Sequence, residues 1–140
     1  MRTKLITIAE VEFTAFILAR ELMTGDEPIP EFGTRFPEKL ESCLATPFTR
    51  FSRKVLYRGL IGKASVLFYL MIKNHPFQNG NKRIAVMTLL VFLANNGKWL
   101  KMSPKGLYDF AVGIARSHPD SRKKVLDNVN NTIRKYLTNL

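Results

Sequence analysis

A chain of 140 residues, 46% of them hydrophobic, is long and apolar enough to pack one domain without disulfides or metals, which excludes a disordered protein. Its net charge of +11, from 22 Lys and Arg against 11 Asp and Glu, draws nucleic acid, nucleotides or an acidic protein without choosing among them. The lone cysteine, Cys43, excludes an internal disulfide, suits a reducing compartment such as the cytoplasm, and reads as a small buried apolar residue.

In chain order, residues 1–8 hold two basic residues with no apolar run behind them, so no secretory signal is expected. Ile8, Val11, Ala15, Leu18, Ala19 and Leu22 recur at helical spacing and predict a helix over 8–23, stopped by Gly25. Pro28, Pro30 and Gly33 make 26–36 an ordered surface loop. A short helix follows Pro37 and ends at Pro47, and 49–52 reads as an exposed connector. Residues 54–73 form a long helical pattern. Residues 84–94 are apolar on all sides, which describes a buried central helix over 81–96, closed by Gly97. That apolar run is too short to cross a bilayer. Ser103-Pro104 starts a helix that runs to Arg116, a capping hydroxyl before proline at the first helical position. The last helix begins near Ser121, with Val125, Val129, Ile133 and Tyr136 on one face. No run alternates with a period of two. The fold class is all-α, one domain of six helices over residues 1–140.

The segment that carries chemistry is His75-Pro76-Phe77-Gln78-Asn79-Gly80-Asn81-Lys82-Arg83, between one long helix and the buried one. Pro76 disfavours helix at His75, and Gly80 permits a tight backbone and close approach of a ligand. The following helix opens with unpaired N–H groups at Gly80, Asn81 and Lys82, and with its dipole these make an anion site. Arg83 adds a bidentate fork for phosphate oxygens and Lys82 a compact charge, and the two point about 100° apart. His75 is the candidate general base, since imidazole is largely neutral at pH 7 and can accept a hydroxyl proton. Phe77 reads as the anchor that pins the loop to the core. The Lys-Ser/Thr pair of a P-loop is missing, and two distant histidines with one cysteine make no familiar zinc site. His118, beside Pro119, reads as a surface residue.

The nine-residue stretch resembles the signature of the Fic/Doc superfamily: His-Pro-Phe, two residues of which the second is acidic, Gly or Ala, Asn, Gly or Lys, and Arg. Eight of the nine positions comply. Residues 89–97 and 103–115 are similar to the C-terminal half of Doc, the "death on curing" toxins, and 42–51 falls where the family carries a small flap that holds the target peptide. The resemblance implies an all-helical bundle in which His75 activates a protein hydroxyl. It also implies a nucleotide, usually ATP with Mg²⁺, bound by Phe77, Gly80, Asn81, Lys82 and Arg83. Lys82 is typical of the Doc branch, which phosphorylates its target (elongation factor Tu is the one described) and is restrained by a Phd-like antitoxin. The AMP-transferring branch generally has Gly there, so protein phosphorylation by a toxin of a toxin–antitoxin module is preferred over AMPylation. One position departs: Asn79 stands where the family has the Asp or Glu that binds Mg²⁺. An amide oxygen can coordinate Mg²⁺ but brings no negative charge. That change leaves three outcomes open: metal held mainly by the nucleotide phosphates, a slow enzyme, or a binding-only relative. The reading from another class is a basic helical nucleic-acid-binding protein, against which stands the placement of the sharpest motif in a loop before the most buried helix.

Overall fold

In the computed structural model, residues 2–25 and 28–140 are described, so Asp26 and Glu27 of the expected 26–36 loop lie outside the described residues. Six helices are present among them. α1 is continuous over 8–22, from Ile8–Glu10 through a π-helical turn at Val11–Ala15 into Phe16–Leu22. A capping box opens it, Thr7 accepting from Glu10 N while the Glu10 carboxylate accepts from Thr7 N. The π turn inserts an extra residue and rotates the apolar face. Phe16 is buried as a result, while Leu22, expected in the core, is 68% exposed. α2 is Pro37–Ala45, α3 Gly59–Lys73, α4 Asn81–Asn95, α5 Pro104–Arg116 and α6 Arg122–Tyr136.

Two expectations need correction. The 49–52 connector is the first half of a short antiparallel hairpin, β1 Arg50–Phe51 with β2 Lys54–Val55, turned by left-handed Ser52 and Arg53. The long helix therefore begins at Gly59 rather than Lys54. A second ladder, absent from the sequence reading, pairs β3 Lys98–Leu100 with the C-terminal β4 Leu137–Asn139. Strands this short carry too few residues for a period of two to register.

α4 is the centre. From Ile84 to Leu90, and again at Phe92 and Leu93, every residue is buried, enclosed by α1, α3 and α5. α3 packs along α4 and turns Ala64 through Ile72 inward, and α6 closes the far side of α3 with Val129 and Ile133. Ser103 caps α5 by accepting from Gly106 N at 3.0 Å. No helix among the described residues is long and apolar enough to cross a membrane. The result is a helical bundle whose α3–α4 connection reaches the surface with His75 on it.

Candidate active site

α3 ends at Lys73, with Asn74 as its C-cap and His75 beyond it at φ +47, a left-handed conformation that few side-chain-bearing residues adopt. His75 is exposed. The chain then dives. Pro76 and Phe77 are buried, and the Phe77 ring sits 5.7 Å from Phe16 and 5.8 Å from Phe32, which meet edge-to-face at 5.3 Å. The Pro76 carbonyl accepts from Phe36 N at 2.9 Å.

Asn81 holds the turn closed. Its Oδ1 accepts from Phe77 N at 2.9 Å and its Nδ2 donates to Phe77 O at 2.8 Å, both buried. The same Nδ2 lies 3.5 Å from His75 Nδ1, a long contact that becomes a hydrogen bond only when Nδ1 is unprotonated and accepts. The sequence reading gave Asn81 only its backbone amide; the side-chain clamp was the missed role. Its signal is an amide four residues after the residue whose backbone it brackets.

Gly80 is left-handed at φ +76 and is the N-cap of α4, with no side-chain cap. A Cβ there would fall 2.6 Å from Ile29 Cγ1, so glycine is needed for conformation and for room. The residues from Pro28 onward lie against this turn. Asn79 Nδ2 donates to Pro28 O at 3.2 Å, and Ile29 and Phe32 are buried, so this part of the expected surface loop belongs to the core. Lys82 is half-buried. Arg83 is only 7% exposed and turns back toward Gly25: a Cβ on Gly25 would come 2.6 Å from its Cζ. Gly25, read as a helix stop, is thus also the space that the guanidinium occupies.

The first turn of α4 holds Lys82 and Arg83 and no acidic residue. A cation in Lys82's position beside a helix N-terminus works against its dipole, at a cost of about 0.3–1 kcal/mol at an exposed site, and a bound anion reverses that sign. Among the described residues the donor set does not suit a protein-held Mg²⁺. Asn79 offers only a neutral amide oxygen, and no three of the described His, Cys, Asp and Glu side chains converge on a metal-sized site.

His118 is on the surface, as expected, and caps the turn after it by accepting from Asp120 N at 3.1 Å. Cys43 is fully buried. Comparison with curated proteins and with solved structures returns no match. A family model described as the Fic/DOC family matches residues 13–93, more than half of the chain, which takes in α1 from residue 13 onward, the 28–36 segment, α2, the hairpin, α3, the His75 loop and nearly all of α4. The chain belongs to the Fic/DOC family of nucleotide-dependent transferases.

Proposed function

We propose that the whole 140-residue chain acts in the cytoplasm as one Doc-like unit that moves a phosphoryl group from ATP to a protein hydroxyl, with His75 as general base. The observation that carries this reading is the start of α4, where backbone amides without a side-chain cap and the half-buried Lys82 lie beside an exposed histidine. Family membership supports a nucleotide and a protein as substrates. Lys82 at the position that separates the branches favours phosphorylation over AMPylation.

In the step itself, the target oxygen attacks the γ-phosphorus as His75 takes its proton. The new O–P bond forms while the bond from the γ-phosphorus to the bridging oxygen breaks, and ADP leaves. Gly80, Asn81 and Lys82 supply backbone donors to the phosphates, and Lys82 and Arg83 supply charge. Asn79, lacking a carboxylate, would leave any Mg²⁺ to be held mainly by the nucleotide phosphates, whose charge it would neutralise. Elongation factor Tu is the first target to test, and a Phd-like antitoxin the first restraining partner.

The test uses ATP labelled in separate samples at the α and γ phosphates, incubated with the protein in cell extract. Label arriving on protein from the γ position and not the α position is the expected result. Label from the α position means AMPylation, and label from neither removes the transferase. His75→Ala should lower the rate by about 10²–10⁴, the usual worth of a general base.

A further inference from the structure

A cavity of about 660 Å³, with no residue of the His75 loop in its lining, opens between the segment that leads into α3 and the outer face of α6. Leu56, 52% exposed, and the half-buried Leu126 give it apolar wall, while Arg58, Arg122, Lys123 and Arg134 surround them. Asp127 is the single acid in the lining, four cations to one acid, where the whole chain has two to one. The enrichment coincides with a concave, partly apolar surface, unlike a merely solvated charged face, which is convex and polar.

We infer that this groove binds an acidic segment of a partner protein, carboxylates meeting the arginines and lysine and apolar side chains seating on Leu56 and Leu126. The dimensions fit. Arg122 and Arg134 are twelve residues apart on α6, about 18 Å, the length of five or six extended residues. Charge complementarity selects the partner: a cationic rim over apolar wall matches alternating acidic and apolar side chains. A nucleic-acid backbone matches less well, because Asp127 would face an unbroken row of phosphates and the leucines would gain nothing from them. The surface is independent of the transfer chemistry proposed above.

Fluorescence anisotropy with a labelled synthetic peptide alternating Glu and Leu tests it on the full chain. The peptide should bind, and replacing its Glu by Gln, or its Leu by Ser, should weaken binding. The variant combining Arg58→Gln, Lys123→Gln and Arg134→Gln should bind about tenfold more weakly or worse, a loss of about 1.4 kcal/mol. Lys105→Gln, on the exposed face of α5, should bind as the parent does. In the unmodified protein, peptide-induced amide shifts should centre on Gly62, Leu126 and Asn130, a readout that does not depend on the variant folding. Unchanged affinity in the triple variant, shifts elsewhere, or tighter binding of a single-stranded oligonucleotide of equal charge that the triple variant also loses would each overturn the inference.

Discussion

His75 stands in a conformation that costs a side-chain-bearing residue roughly 1–2 kcal/mol, at a position where helices commonly place glycine. His75→Gly should therefore be more stable than His75→Ala by about 1 kcal/mol in denaturant melts, while both lose transfer activity. Equal stability of the two would mean that the strain is not real. Gly25 offers the complementary test, since its backbone accepts alanine but the new methyl would strike the Arg83 guanidinium. Gly25→Ala should melt within about 1 kcal/mol of the parent, because a flexible side-chain end can move aside, yet lower kcat/KM by about tenfold or more. Every residue of the motif could be read from the sequence, since it is contiguous. Gly25 could not, because its role lies in a contact across 58 residues, and the Asn81 clamp left only its four-residue spacing as a signal, since it depends on a side-chain rotamer.

At the scale of elements, the central helix was the clearest feature of the sequence, because a run apolar on every side has no other soluble explanation. Less legible was α1, whose π turn breaks the 3.6-residue period and exchanges Phe16 for Leu22 in the core. The segment 28–36, largely exposed as a surface loop should be, was only partly legible for a related reason. Prolines and glycine announce irregular backbone, but not that Ile29 and Phe32 plug the site's inner wall. Within α4, the Thr88 hydroxyl is buried with no hydrogen-bond partner among the described residues. Thr88→Val should stabilise the protein by about 1 kcal/mol in thermal or denaturant melts, and a loss of that size would show that the hydroxyl has a partner after all.

For the whole molecule, burial pushes the Cys43 thiol up from 9.0 to about 11, partly offset by a hydrogen bond with Asn74. The native state then keeps its proton where the unfolded chain has lost it. Stability from this source is complete below pH 9 and declines as the pH rises toward 11, by at most about 2–3 kcal/mol. Cys43→Ala should lack that alkaline decline when denaturant midpoints are compared across the range; parallel curves would contradict it. The net charge, which alone could not choose a partner, is distributed over at least two surfaces, the start of α4 and the α6 groove. Amide NMR during an ATP titration tests the first of these most directly. ATP should shift Gly80, Asn81 and Lys82 together with the His75 ring signals, and leave Gly62, Leu126 and Asn130 still. Shifts confined to the groove, or none at saturating nucleotide, would contradict a phosphate site at the head of the central helix.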